Sequence, residues 1–391
     1  MEYRALAEAD IERCVALESY AFRSNSDRSD LARGKIARFR GLFAGGELLA
    51  QLELIPLRLR AGLGEVAAGG VGSVAGAPET RRRGHVAALM RHLADELRAA
   101  GVPLCVLYPF KRSFYGRYGW ATFYERRLYS GPPERFAHFR PGPGRFTPAG
   151  PEQIDELDQI YAGALRGRFG TIVRDREWWE RRVLRGWDGR PHHAFIWRDE
   201  AGQGRSYLIF SLEGQGGDAA MRCREMVALD PLARAQLFAF VAGHQDQMAT
   251  VRFYAPADAP VNLLFPDPLE CAVEPRFMLR LLDVPAALAA YTFPRDVAGR
   301  LTLAVSDDWI TANNGSFALE LEGGRCRVSR LPDGAQANLS CDVRVLAQLY
   351  SRYLRPRTAA AFGLLEAPDR AALALADAAF AGLAPFSADF F

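Results

Sequence analysis

The chain repeats one unit, strand, proline, amphipathic helix, strand, proline, and this repetition limits what it can fold into more than any other feature. In the first copy Val71 to Ala77 runs into Pro78, a helix follows, and the strand Leu104 to Tyr108 ends at Pro109. In the second, Met226 to Leu229 leads to Asp230-Pro231, a helix runs from Ala233 to Gly243, and a strand at Thr250 to Tyr254 stops short of Pro256. Pro78 matches Pro231 and Pro109 matches Pro256, and the second copy is six residues shorter between them. It has no counterpart of Thr80-Arg81-Arg82-Arg83-Gly84-His85. The pattern reads as a duplicated domain whose second copy lost a loop.

Around these units the apolar period changes several times. From Leu6 to Phe39 it is helical and broken by the polar stretch Arg23 to Asp30, which predicts two helices and a loop. Leu42-Phe43 and Leu48 to Leu54 flank Gly45-Gly46 as a hairpin, and Leu57 to Leu59 begins another extended run. In the first repeat's helix Val86, Leu89, Met90, Leu93 and Leu97 share one face. Thr122 to Tyr129 is the last strand expected before Pro132-Pro133 and Pro141-Gly142-Pro143-Gly144, which mark a domain boundary. After it come a helix from Pro151 to Leu165, a helix near Trp178-Trp179, and strands around Phe195 to Arg198 and Ser206 to Leu212. Beyond about Pro285 strands at Leu301 to Ser306, Phe317 to Glu322 and Cys326 to Arg330 precede helices at Val343 to Leu354 and Arg370 to Ala379. An α+β chain in three parts is expected, spanning 1–135, 145–284 and 285–391.

The 391 residues are too many for one core, which agrees with several domains. A net charge of +3 provides no basic face for nucleic acid. No uncharged apolar run approaches the roughly 18 residues of a membrane span. Met1-Glu2-Tyr3-Arg4 does not open like a secretory signal, so a cytoplasmic location is expected. The cysteines lack paired spacing, and neither a disulfide framework nor a metal is expected. His192-His193 have no ligand spacing around them and read as surface residues.

Chemistry concentrates in the first repeat. Val74-Ala75-Gly76-Ala77-Pro78-Glu79-Thr80-Arg81-Arg82-Arg83-Gly84-His85-Val86 joins a strand to a helix N-terminus through a basic loop. Unpaired amides and a partial positive charge at such a terminus suit a pyrophosphate, and Gly84 lets backbone approach it. A solvated charged turn is the competing reading. Gly70-Val71-Gly72-Ser73-Val74-Ala75 matches a dinucleotide fingerprint in letters, but a strand and Pro78 intervene before the helix. After the next strand comes Phe114-Tyr115-Gly116-Arg117-Tyr118-Gly119-Trp120.

Arg-x-x-Gly opening a helix, with Phe-Tyr-x-x-x-Gly-aromatic after the following strand, resembles the GNAT acetyltransferase superfamily. The whole chain is similar to the Eis (enhanced intracellular survival) family, most specifically in Pro-Glu-x-Arg-Arg-x-Gly at Pro78 to Gly84 and Pro-Phe-x-x-x-Phe-Tyr-Gly-Arg at Pro109 to Arg117. That family combines an active GNAT domain, a degenerate second one and a sterol-carrier-like domain. The resemblance implies acetyl-coenzyme A as cosubstrate, with Val74, Ala75 and Gly76 along the pantetheine and Arg81, Arg82, Arg83, Gly84, His85, Val86 and Ala87 around the pyrophosphate. It also implies Phe110 beside the cofactor, Tyr115 as the acid for the departing thiolate, and a homohexamer. Tyr20 and Phe22 lie where the family's acceptor pocket begins, with core packing as the other reading. Some members carry a Ser-acid pair where this chain has Phe110-Lys111, so contacts near the thioester are expected to differ.

An attacking amine is mostly protonated near pH 7 and needs a proton acceptor. Glu79 sits in the phosphate loop, and no other acid near the motifs has a claim. The chain closes on the apolar Phe390-Phe391, which is expected to anchor in a pocket. The resemblance implies that the terminal carboxylate of Phe391 reaches the first domain and acts as base. A tail packed only for stability remains open. So do two rival functions, a non-catalytic lipid or small-molecule binder using the C-terminal part and a nicotinamide-dependent oxidoreductase. Asp307-Asp308-Trp309 reads either as the lining of an amine pocket or as a turn. The acceptor itself, a small-molecule or peptide amine, is not legible.

Overall fold

The computed structural model describes residues 1–23, 34–185 and 192–391, so most of the expected loop Arg23 to Asp30 lies outside the described residues. Strands β1 (Glu2–Ala5), β2 (Phe39–Ala44), β3 (Glu47–Ala61), β4 (Gly64–Gly76), β5 (Leu104–Leu107) and β6 (Ala121–Thr122) come from the N-terminal third. Helix α1 (Ile11–Phe22) follows β1, α2 (His85–Ala99) joins β4 to β5, and α3 (Arg112–Gly116) follows β5. Strand β3 runs unbroken for 15 residues through Pro56, where two shorter strands were expected. Its pairing with β2 stops at Glu53, so the proline falls where the strand has only β4 beside it. Strand β4 starts at Gly64, seven residues before the expected Val71; the Gly and Ala residues of Gly64 to Gly70 carry little strand signal.

The second sheet contains β7 (Glu125–Gly131), β8 (Arg145–Pro148), β9 (His193–Arg198), β10 (Gly204–Glu213), β11 (Ala220–Ala228), β12 (Thr250–Pro256) and β13 (Glu270–Pro275). Helix α4 (Ile154–Ala164) lies ahead of β9, and α5 (Pro231–Ala242) joins β11 to β12. The two sheets trade strands. The first sheet runs β1-β2-β3-β4-β5-β14-β6, where β14 is Met278–Leu281, and the second runs β13-β7-β12-β11-β10-β9-β8. The stretch Thr122 to Tyr129, expected as one strand, therefore breaks at Phe123-Tyr124 and feeds both sheets. Residues 125–131 and 278–281 thus pair across the boundaries drawn from the prolines. The reason lies in β5: all four of its residues are buried, so it needs a neighbour on each edge, and β14, equally buried, supplies the second.

The third part opens with α6 (Val284–Ala290) and builds a four-stranded sheet from β15 (Gly299–Ser306), β16 (Gly315–Glu322), β17 (Arg325–Arg330) and β18 (Leu339–Asp342). Helices α7 (Val343–Tyr350), α8 (Pro356–Ala361) and α9 (Arg370–Ala379) follow. One face of the first sheet packs Leu52, Leu54, Val71 and Leu107 against Leu89, Met90, Leu93 and Leu97 of α2, the stripe read from the sequence. Its other face places Ile55, Leu57, Leu59 and Val106 in one core with Leu346, Leu349 and Tyr350 of α7. Among the described residues no helix is long and apolar enough to cross a membrane.

Candidate active site

Strands β4 and β5 pair in parallel only from Ala68↔Leu104 to Val71↔Leu107. Past that point β5 ends while β4 continues to Gly76, so the backbone of residues 72–76 has β3 on one side and an open fork on the other. Facing Leu52, Ser73 and Val74 form a bulge, and Ser73 holds a φ of 50°. Such a bulge bends the strand and re-aims the residues beyond it. Gly70, which opens the fingerprint-like stretch, and Gly69 just before it have steric causes. A methyl group at Gly69 would sit 2.6 Å from Leu97 of α2, and one at Gly70 would sit 2.7 Å from Leu57 and 3.0 Å from the ring of Phe391.

Helix α2 begins at His85 behind Gly84, whose φ of 83° favours glycine. Arg81, Arg82 and Arg83 are exposed and, among the described residues, make no ion pair with an acid. The His85 Nδ1 is buried and unpartnered. An open strand edge, amides at a helix start, three uncompensated arginines and an orphaned imidazole nitrogen together fit a ligand with an amide-bearing arm and a diphosphate. Tyr20 lies under the Arg81 guanidinium, 5.4 Å from ring centroid to Cζ, which puts it at the edge of the basic loop. Phe22, at the end of α1, is half exposed, and neither ring contacts Tyr115 or Phe391.

Tyr115 is buried on α3 between Phe114 and Trp120, and the exposed Phe110 ring meets its edge at 5.5 Å. Burial pushes the phenol well above its ordinary range, and the described residues give its hydroxyl no hydrogen-bond partner. It therefore stays protonated with its proton available.

The C-terminal segment is held at almost every residue. The Phe386 carbonyl accepts from Thr171 Oγ1 at 3.0 Å, the Ser387 carbonyl from Tyr124 at 3.2 Å, and the Asp389 carboxylate from Trp178 Nε1 at 2.7 Å, Arg174 Nε at 3.0 Å and Tyr161 at 3.1 Å. Phe390 meets Tyr108 edge-on at 5.0 Å, and Phe391 stacks on Phe277 at 4.8 Å. This delivers the chain end to the fork. A methyl group at Gly72 would lie 3.9 Å from the carboxyl carbon of Phe391 and 3.7 Å from Glu53 Oε2. Two carboxyl groups thus flank Gly72. Sequence reasoning missed Glu53, which is buried, pairs through Oε2 with Lys35 Nζ at 3.6 Å, and leaves Oε1 buried without a partner.

Comparison with known proteins agrees with this geometry. Residues 2–123 and 170–281 each match an acetyltransferase (GNAT) domain family, and residues 284–388 match the sterol carrier protein domain. An uncharacterised N-acetyltransferase of Streptomyces coelicolor is 30% identical over 344 residues, covering 81% of this chain and 79% of that protein. The N-acetyltransferase Eis of Mycobacterium bovis is 28% identical over 371 residues, covering 90% and 87% respectively. The chain belongs to the Eis family of GNAT N-acetyltransferases. A solved GCN5-related N-acetyltransferase from Anabaena variabilis matches over 100% of both chains at 25% identity with a TM-score of 0.90. Eis1 from Mycobacterium abscessus shares the fold, with a TM-score of 0.82 at 22% identity over 100% of both chains.

As an Eis-family acetyltransferase the chain uses acetyl-coenzyme A as cosubstrate, and the first fork has the parts for it. The second fork lacks them. Helix α5 starts at Asp230-Pro231, and the Asp230 carboxylate already accepts from Ala233 N at 2.8 Å and Arg205 Nη2 at 2.7 Å. Two weaker candidates take structural places in this Eis-family chain. Asp307 is buried, receives the Trp309 and Ile310 amides, and pairs with the buried Arg280 of β14 at 2.6 Å, so it ties the third part to the first sheet. His193 lies exposed in β9 with its ring 5.4 Å from Phe210.

Proposed function

We propose that the chain transfers acetyl from acetyl-coenzyme A to a primary amine by direct attack at the first fork. In this reading Val74, Ala75 and Gly76 pair with the pantetheine, and Arg81, Arg82 and Arg83, Gly84 and the first turn of α2 hold the pyrophosphate. Phe110 covers the thioester end. The amine is drawn in as a cation by Glu53 and the Phe391 carboxylate, and the latter takes its proton before attack. The nitrogen lone pair forms the C–N bond, the C–S bond breaks as Tyr115 gives its proton to the sulfur, and the second proton leaving the nitrogen returns to the Tyr115 oxygen, so the terminal carboxylate holds the one proton released overall. Asp389 acts as a positioning residue, holding the strap two residues before the base. Tyr20 and Phe22 edge the acceptor entrance. A cytoplasmic homohexamer with one coenzyme A per chain completes the reading, and light scattering that gives a monomer at micromolar concentration would contradict the assembly.

The observation that carries this is the position of the terminal carboxyl group beside Gly72, where β4 and β5 part. Appending Gly-Ser after Phe391 keeps both rings and moves the carboxylate. With a panel of polyamines, aminoglycosides and lysine peptides, and thiol release as readout, turnover is expected to fall about 100-fold or more while coenzyme A still binds. Full turnover in the folded, extended chain would place the base elsewhere.

A further inference from the structure

The second fork has lost the diphosphate loop but has kept its interior. Strands β11 and β12 pair in parallel only from Ala220↔Thr250 to Arg222↔Arg252, then part. Beyond that point they enclose, with α5, a cavity of about 470 Å³. Met226 and Ala228 of β11, Phe253 and Ala255 of β12, and Leu237 and Phe238 of α5 form its apolar walls. Its volume lies within the range of small-molecule sites, roughly 300 to 1,000 Å³.

The charged groups at this cavity define what it can take, and one of them, Arg224 of β11, lies beside Glu225 and is already engaged. Glu225 is committed to the buried Arg174 at 2.6 Å, and Asp258 to Arg168 at 2.7 Å. The start of α5 is filled by the Asp230 carboxylate, so a diphosphate meets a negative charge where the first fork offers arginines. Arg234, in the first turn of α5, is exposed at the rim and has no acidic partner among the described residues. Leu263, 84% exposed, stands on the same rim.

We propose that this cavity is a binding site for an aliphatic monocarboxylate, its chain between the parted strands and its carboxylate on Arg234. The apolar walls recover the burial of the chain, and one guanidinium gives the head group a charge-assisted contact. Coenzyme A is not accommodated, since the second fork has no basic loop to hold a diphosphate and Asp230 already fills the start of α5. Phe386 and Ala388 form part of the wall, so a bound chain touches the strap that ends at Phe391. The inference rests on the cavity and its charges and not on the roles of Tyr115 or Phe391.

Calorimetric titration of the full chain, saturated with coenzyme A, against decanoate, decanol and decylamine tests it. Decanoate is expected to bind with one site per chain and about tenfold or more tighter than the other two. Arg234→Ala should bring decanoate down to the level of decanol, and Leu263→Glu, at an exposed rim position, should weaken it by repulsion. Coenzyme A binding should be unchanged in both variants, which shows that they fold. The proposal is overturned by no binding of decanoate at millimolar concentration, by several sites per chain, by equal affinity for decanol, or by decanoate binding that Ala228→Phe, which fills the cavity, leaves intact.

Discussion

At the first fork a helix starts at Gly84 behind three exposed arginines, and a buried tyrosine stands on the short helix after β5. At the second the helix starts behind Asp230, whose carboxylate caps it, and after β12 the chain turns through Pro256 to Pro260. The walls correspond: two parallel strands that part, with one helix between them. The difference shows that the fork itself follows from the repeated fold, while the basic loop, the buried α3 tyrosine and the arriving chain end, to which the proposed chemistry is assigned, are found at the first fork alone among the described residues. Arg174, Tyr161 and Trp178, which hold Asp389, belong to the second part, so the degenerate domain fixes the strap that ends beside the first fork.

The comparison breaks most visibly at the two tyrosines. Tyr115→Phe is expected to lower kcat by about 100-fold or more with coenzyme A binding retained, the usual scale of general acid loss. Tyr254→Phe, in the second fork, should leave kcat unchanged; equal losses in steady-state assays would mean that both forks work. Next in size is Glu53→Gln, expected to raise KM for amines about tenfold by removing a charge-assisted contact, with a much smaller change in kcat. A lowered Tm with unaltered KM would assign Glu53 to the Lys35 pair alone. Smallest is Asp230→Ala, which removes the cap of α5. It should cost about 1 kcal/mol in denaturant unfolding and create no second coenzyme A site.

The basic loop, the α2 stripe, the Phe-Tyr motif and the apolar chain end were legible because each is a local pattern with a local cause. The partners of β7 and β14 were not. Thr122 to Tyr129 holds no glycine or proline to mark a break, and which sheet receives each half depends on β5 lacking a second neighbour, which it finds in a strand far along the chain. Glu53 was invisible for a related reason. A single acid in an alternating strand reads as solvent-facing, and here Gly72 opposite it and the arriving chain end bury it. The second cavity left no sequence trace beyond the repeat, since its walls use the same residue types as any core.

Titration of coenzyme A into the full chain, compared with Arg82→Ala and Arg234→Ala, tests most directly the claim that one fork of the two holds the cofactor. One site per chain is expected, about tenfold or more weaker in Arg82→Ala and unchanged in Arg234→Ala. Two equivalent sites, or an affinity that ignores Arg82 and follows Arg234, would contradict it.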